Sequence, residues 1–421
     1  MQRVYVTGIG VVSSIGLGRE AFWRALSGGR HGISELELFD TSRYDRHVAC
    51  EVKRSVFDPR DHLSRSELGR MGRASAFAVA AARMAVEEAG LSEPALRRER
   101  ASVVLGTTMG EANLLGEMEH RWIHGGDEAI APAMIPRYGS TLLPIHVARA
   151  FGVRGLVQTL PAACAAGNYA IGTAADLIRS GRADVVLTGA TEVIERLQFA
   201  GFVRLGAMAP EKCQPFDKNR RGLLIGEGAA IFVLESEAHA VARGATAIME
   251  VGGHGLACDA FHITRPHPEG EGNLRAMREA LRASGIEPSD VDHVNAHGTG
   301  TQANDPIETR VLKEVFGERT PPVTSIKSAI GHCMGAASAL EAAACAMTLQ
   351  TGTVPPTLHH ETPDPACDVD LVANVPRTLP RADVVLNNSL AFGGYDAVVC
   401  FARPGVLPPP EERGALARGE G

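Results

Sequence analysis

Apolar residues along the chain fall into two alternating patterns. Short continuous apolar runs begin with Arg3-Val-Tyr-Val-Thr-Gly-Ile-Gly-Val-Val-Ser13 and recur at 229–235 and 247–251, predicting strands with little polar face. Other stretches, such as 74–89 and 271–284, carry the periodicity of amphipathic helices. Strand and helix signals that alternate along a chain imply sheets covered by helices, an α/β fold.

Two local patterns occur twice. Val157-Gln-Thr-Leu-Pro-Ala-Ala-Cys-Ala-Ala-Gly-Asn168 and Val323-Thr-Ser-Ile-Lys-Ser-Ala-Ile-Gly-His-Cys-Met-Gly335 both read as a strand, an elbow of small residues and a helix start. Val185-Val-Leu-Thr-Gly-Ala-Thr-Glu192 is echoed by Val384-Val-Leu-Asn-Asn-Ser-Leu-Ala-Phe392. A length of 421 residues ordinarily suggests two or three domains, but the repetition favours one duplicated α/β unit, and 45% hydrophobic residues supply a shared core. The halves divide near 236–245, giving an N-terminal half 1–240 and a C-terminal half 241–403 packed without a flexible linker. From Pro404 the chain runs through Pro408-Pro-Pro-Glu-Glu-Arg-Gly414 without apolar periodicity, so 404–421 is expected to be a mobile tail, dispensable for chemistry.

Composition narrows the function classes. A net charge of −7 and the lack of basic runs with interleaved aromatics argue against a nucleic-acid surface. No basic-plus-apolar leader and no membrane-length apolar run is present, so a cytoplasmic protein without membrane contact is expected. Eight cysteines with no C-x-x-C pair give neither a disulfide framework nor a zinc signature. His293 and His297 are four apart, yet glycines follow at once and no glutamate intervenes, so no metal is expected.

Candidate chemistry concentrates in three segments. Cys164 lies where an apolar run turns through Pro161-Ala-Ala into a helix-forming Ala/Gly stretch. Unpaired N–H groups in the first turn of a helix favour thiolate over thiol and can hold a developing oxyanion. Val294-Asn-Ala-His297-Gly-Thr-Gly-Thr301 and Ser325-Ile-Lys327-Ser-Ala-Ile-Gly-His332 resemble strand ends opening into a site. Lys327 is one of five lysines against 37 arginines and is embedded among small and apolar residues. Taken singly, each has a plainer role as a packed thiol, a buried imidazole or a surface lysine. Their joint occurrence points to a site.

These residues resemble the signature of the β-ketoacyl-acyl carrier protein synthases, the condensing enzymes of fatty-acid and polyketide synthesis. The resemblance runs from the N-terminal strand through Gln214-Pro-Phe-Asp-Lys-Asn-Arg-Arg-Gly222 and Gly226-Glu-Gly228 to Asn388-Ser-Leu-Ala-Phe-Gly-Gly394, about residues 1 to 403. It implies the thiolase-like fold, a duplicated five-layer αβαβα architecture. It implies decarboxylative condensation of an acyl group on Cys164 with a malonyl unit on acyl carrier protein, with His297 and His332 donating to the thioester carbonyl. Lys327 resembles a lysine that organises the histidines and pairs with an acid, a position matched by Glu308.

The same resemblance places Thr299 and Thr301 on the phosphopantetheine arm, with Phe202 and Gly393 as further substrate-binding residues, and makes Phe392 a gate whose backbone N–H joins that of Cys164 as oxyanion donor. It implies no cofactor beyond the carrier's phosphopantetheine. Carrier docking falls on a helix spanning Ser64 to Arg73, through Arg65, Arg70 and Arg73, and the chain forms a homodimer or a heterodimer with a chain-length-factor-like subunit. Leu390-Ala391 and Tyr395-Asp396 depart from the usual Phe-Gly and Thr-Asn, as do Pro161-Ala162-Ala163 and Gly106-Thr-Thr-Met-Gly-Glu111, which favours specialised polyketide-type synthesis. The arginine-rich, alanine-rich usage agrees with a GC-rich bacterial genome. Two other readings stay open: a non-catalytic chain-length factor, which lacks the cysteine, and a Cys-dependent acyltransferase, hydrolase or cyclase.

Overall fold

The computed structural model describes residues 2–97 and 100–417. Among the described residues, ten strands of one hydrogen-bonded sheet divide into two five-stranded parts: β1 (Val4–Ser13), β2 (Ala101–Gly106), β3 (Val157–Leu160), β4 (Val185–Glu192) and β5 (Gly228–Ser236) in the first half, then β6 (Met249–Cys258), β7 (His293–Asn295), β8 (Val323–Thr324), β9 (Val384–Ala391) and β10 (Tyr395–Ala402). The first part, or first sheet, runs β3-β2-β4-β5-β1 and the second β8-β7-β9-β10-β6. In each, the first three neighbours are parallel and the last two pairings antiparallel. The same winding twice is the duplication that the repeated segments imply. The sheets join where Tyr5 and Val6 of β1 pair with Glu250 and Met249 of β6.

Helices complete the layers. α1 (Arg73–Glu88) packs on the outer face of the first sheet and α3 (Glu271–Ser284) on that of the second, while α2 (Ala166–Arg179) and α5 (Ala337–Thr351) lie between the sheets. α4 (Asn304–Phe316) joins α3 on the second outer face. Outer helices sit unusually close to the first strand of each half. A side-chain carbon at Gly10 would lie 1.8 Å from the Ala81 carbonyl oxygen, and one at Gly255 would lie 1.9 Å from that of Ala276. Glycine on the strand is therefore required at this approach, once in each half.

α5 is Ala-Ser-Ala-Leu-Glu-Ala-Ala-Ala-Cys-Ala-Met-Thr-Leu-Gln-Thr, and its first thirteen residues are all buried. A helix apolar on every side belongs in the middle of a core, and α5 shares one cluster with α2 and the inner faces of both sheets. Among the described residues no helix is long and apolar enough to cross a membrane.

Two expectations change. The segment expected to form one helix from Ser64 to Arg73 divides: Ser64 caps a single turn, Arg65–Leu68, through a capping box with Glu67, and Arg73 opens α1 separately. The segment from Pro404 is not a free tail over its described part. Leu407 is buried in the second-half core, Arg413 is buried against Glu250, and Pro410–Ala417 is helical. The proline run hides these anchors, since one leucine and one arginine produce no periodicity; residues 418–421 lie outside the described residues.

Glu250 is fully buried and held by two guanidiniums, Arg3 at 2.7 Å and Arg413 at 2.5 Å. Replacing Arg413 with alanine leaves half of that compensation, and we expect a loss of roughly 1–3 kcal/mol in unfolding free energy by urea denaturation. An unchanged midpoint would show the C-terminal segment to be energetically detached.

Candidate active site

Each half presents an elbow to the middle layer. After β3, Ala163 takes φ +45° and a 3-10 turn, Ala163–Ala165, carries Cys164 into the N-terminus of α2. In the second half Met334 also takes φ +45°, and Met334–Ala336 leads into the N-terminus of α5, two residues beyond His332. The helix starts touch: the Asn168 N–H donates to Ser338 Oγ at 3.1 Å, and Ser338 Oγ donates to the Cys164 carbonyl at 3.4 Å. A side-chain carbon at Gly167 would lie 2.6 Å from the Ala339 nitrogen, so this approach needs glycine.

Cys164, His297, His332, Phe202, Phe392, Thr299 and Thr301 all line one cavity of about 160 Å³. The two imidazole rings stand 5.4 Å apart and nearly perpendicular. His332 Nδ1 accepts the Met334 N–H at 3.1 Å, so in a neutral ring the proton sits on Nε2. His297 is fixed by its backbone: its N–H donates to Glu308 at 2.6 Å and its carbonyl accepts Lys327 Nζ at 2.5 Å. Burial and the Lys327 ammonium hold both imidazoles well below their usual range, with His332 adding to the effect on His297. At neutral pH both are uncharged and able to donate a hydrogen bond.

Burial pushes the Cys164 thiol up to about 12, against the opposing pull of Lys327 and a hydrogen bond from the Phe392 N–H. That bond places the Phe392 amide at the thiol. Phe392 is 38% exposed, its ring lies 5.8 Å from that of Phe202, and it is followed by Gly393 at φ +85° and Gly394 at φ +76°. Thr299 and Thr301 bond each other through their hydroxyls at 2.9 Å.

The acid partner of Lys327 differs from expectation. Lys327 Nζ pairs with Glu341 of α5, both side chains being 1% exposed. Glu308 instead accepts the His297 and Gly298 N–H groups and the Asn388 and Asn304 amides, and burial lifts its carboxyl to about 7. Its work is to hold the histidine backbone. Glu341 was legible in principle, as the one charged residue of a fifteen-residue helix that is otherwise apolar or neutral: such a carboxylate needs a cation. A second unforeseen acid, Glu192, ends β4 and accepts the Thr108, Met109 and Gly335 N–H groups, with burial lifting it to about 7.

The three arginines are not in the cavity. Arg65 and Arg70 are exposed. Arg73 pairs with buried Glu227 at 2.5 Å and donates to the Val52 carbonyl, so its guanidinium is committed to the fold and is not a free docking cation.

A thiol under a backbone donor, facing two neutral imidazoles beside a buried ammonium, can carry an acyl group and stabilise enolate oxygen. Residues 1–240 match the family model "Beta-ketoacyl synthase, N-terminal domain", and residues 248–361 match "Beta-ketoacyl synthase, C-terminal domain". This chain belongs to the β-ketoacyl synthase family. It is 38% identical over 411 residues to "3-oxoacyl-[acyl-carrier-protein] synthase 2" of Synechocystis sp., covering 96% of this chain and 98% of that protein. Among solved structures, "The ishigamide ketosynthase/chain length factor" superposes with a TM-score of 0.93 at 42% identity, over 96% of this chain and all of that one. A ketosynthase described as bound to the hexaketide, in a complex of "type II PKS acyl-carrier protein", gives 0.87 at 31%, over 96% and 99%. The architecture is thus the thiolase-like one, and this β-ketoacyl synthase is a condensing enzyme of the acyltransferase type.

Because burial keeps the Cys164 thiol protonated and no imidazolium stands beside it, alkylation by iodoacetamide should rise about tenfold per pH unit from pH 7 to 10. Intact mass over time, with Cys164→Ala as blank, measures this. A plateau near neutrality would show a thiolate–imidazolium pair instead.

Proposed function

We propose that this β-ketoacyl synthase extends a carrier-bound acyl chain by decarboxylative Claisen condensation with a malonyl unit on acyl carrier protein, in specialised polyketide-type synthesis. The observation that carries this reading is the single cavity in which Cys164, His297 and His332 meet. The Cys164 thiol gives up its proton as the sulfur attacks the acyl thioester, the carrier leaves as the thiol that takes up that proton, and the acyl group rests on the enzyme. A malonyl thioester then places its carbonyl oxygen against the two imidazoles. Its C–CO2 bond breaks and the electron pair moves through the α-carbon onto that oxygen, which two neutral N–H donors stabilise. The enolate carbon attacks the Cys164 thioester, whose oxyanion meets the N–H groups of Cys164 and Phe392, and the C–S bond breaks to return the thiolate.

Thr299 and Thr301, beside the thiol and histidines, suit the amide-bearing phosphopantetheine arm, with Phe202 and the Phe392-Gly393 turn at the acyl side. Arg65 and Arg70 are the exposed cations for the carrier. A chain-length-factor role is disfavoured by the complete Cys-His-His set. Pairing is with a second ketosynthase-fold chain, identical or chain-length-factor-like. Edge strand β3 is half-exposed along its length, and Trp122, Ile123 and Ile135 are exposed. The polyketide assignment is supported by the similarity to the type II PKS ketosynthase bound to the hexaketide and by Leu390 and Ala391 lining the cavity.

Intact-protein mass spectrometry with acyl-loaded and then malonyl-loaded carrier tests the reading. Wild type should gain the acyl mass and discharge it into a β-ketoacyl carrier, and Cys164→Ala should gain nothing. His297→Ala and His332→Ala should still be acylated but decarboxylate on the order of 10²–10³ more slowly. Discharge to free acid without malonyl carrier would sink condensation and favour the hydrolase reading.

A further inference from the structure

Asp396 is buried to 1% exposure, two residues beyond the Phe392–Gly394 turn, and no N–H group reaches its Oδ2. Its polar neighbour is the carboxyl of Asp259. A side-chain carbon at Gly272 would lie 2.2 Å from Asp396 Oδ2 and 2.5 Å from Asp259 Oδ1, so the two oxygens lie within 5 Å of each other at the first turn of α3. Asp259 is itself tied to three pieces of chain. Its N–H donates to the Gly394 carbonyl at 2.8 Å, and its carboxylate accepts the His267 N–H at 2.8 Å and the Gly272 N–H at 3.2 Å. The Gly393 N–H donates to the Ile263 carbonyl at 2.7 Å. Segment 259–270, which supplies Thr264 and Pro266 to the cavity, is thereby bound to the turn that carries Phe392.

Asp396 is buried and Asp259 half-buried, and a carboxyl buried this close to a carboxylate resists ionising; a proton on Asp396 satisfies its otherwise unpartnered oxygen. Arg275, which donates to the Cys258 carbonyl, acts on Asp396 with opposite sign. Tyr169, which donates to the Ala257 carbonyl and packs on Tyr395, and the exposed Cys258 complete the titratable surroundings, with the His267 ring on the same segment. Against these, burial first and Asp259 second lift Asp396 to about 8.

We propose that Asp396 holds a proton directed at the Asp259 carboxylate and that the two act as positioning residues, latching the Phe392 turn over Cys164, and that loss of this proton releases the turn. Latched Asp396 keeps its proton through neutral pH whereas released Asp396 gives it up, so the latch weakens steadily as pH rises toward the raised Asp396 value and its stabilisation is lost in full above it. Release withdraws the Phe392 N–H from the sulfur. His297 and His332 are already neutral there, and ionisation of Cys164 raises its reactivity, so neither produces an alkaline decline. The effect on acylation rests on the proposed reaction; the release itself does not.

Hydrogen–deuterium exchange of the full chain from pH 6.5 to 9.5, corrected for intrinsic rates, tests the latch. Protection of residues 392–394 and 259–270 should fall about tenfold per unit from pH 6.5 and level off above about pH 8, where Asp396 is ionised in both states. In Asp396→Asn the amide donates to the Asp259 carboxylate without a titrating proton, so protection should stay flat across the range, with acylation at neutral pH retained. Asp259→Asn removes the other charge and serves if the first variant does not fold. Constant wild-type protection to pH 9.5, or an unchanged loss with rising pH in a folded Asn variant, overturns the proposal. Absence of acylation at every pH would count against the condensing reading while leaving the exchange result intact.

Discussion

Two helix N-termini meeting in the middle of the protein set the terms for everything around them. α2 and α5 point their positive ends at one another across the Asn168–Ser338–Cys164 contacts, and Lys327 adds a full positive charge in the same buried volume. Unpaired N–H groups and an ammonium in a low-dielectric interior are tolerable only where acceptors are supplied. Glu341 answers Lys327, and Glu192 answers the Gly335 N–H together with two amides of the 107–110 turn. The remaining positive field falls on the cavity. Added to burial, which is the larger cause, it keeps the imidazoles neutral; it opposes the burial that protonates the thiol, and it favours negative charge on any oxygen bound there.

Duplication makes this convergence possible. One α/β half can place one elbow at the end of one sheet; a second half of the same winding, joined along β1 and β6, places another opposite it. The elbows then diverged in side chain while keeping their backbone, φ +45° at both Ala163 and Met334. The nucleophile belongs to the first elbow, and the second approaches it with His332. Close strand–helix packing at Gly10 and Gly255 keeps each outer layer thin without touching the site.

Much of this was legible in the sequence, for identifiable reasons. Continuous apolar runs marked sheets buried on both faces, and α3 was readable to its ends because its amphipathic period is unbroken. Cys164, His297, His332 and Lys327 stood out as reactive or charged residues in otherwise small, apolar segments, and the structure puts them together. Long-range pairings escaped because spacing carries no information about them. Glu341 rather than Glu308 meets Lys327, Arg73 meets Glu227 rather than a partner, and Arg413 anchors a segment whose prolines read as disorder. A capped single turn at Arg65–Leu68 escaped for the opposite reason: Ser64 and Glu67 are a local signal, overshadowed by the stronger helix that follows.

The site has a rigid side and an adaptable side, and the departures from the family's usual residues fall on both. Cys164, His297 and His332 are held by backbone contacts between core elements, where a shift of one residue would disturb both sheets. Pro161-Ala162-Ala163 alters the approach to that rigid side, yet the elbow it leads into keeps its turn. Phe392 sits on a turn built from two glycines at positive φ, at the tip of the β9–β10 hairpin, and is tied in addition to segment 259–270 and the Asp259–Asp396 pair. Leu390 and Ala391 shape the cavity just before that turn, and Tyr395 and Asp396 set its attachment just after it. Substitution there changes what the cavity admits and how firmly it closes while the thiol and imidazoles stay in place. A condensing enzyme can therefore alter its substrate range along this loop without rebuilding the chemistry beneath it.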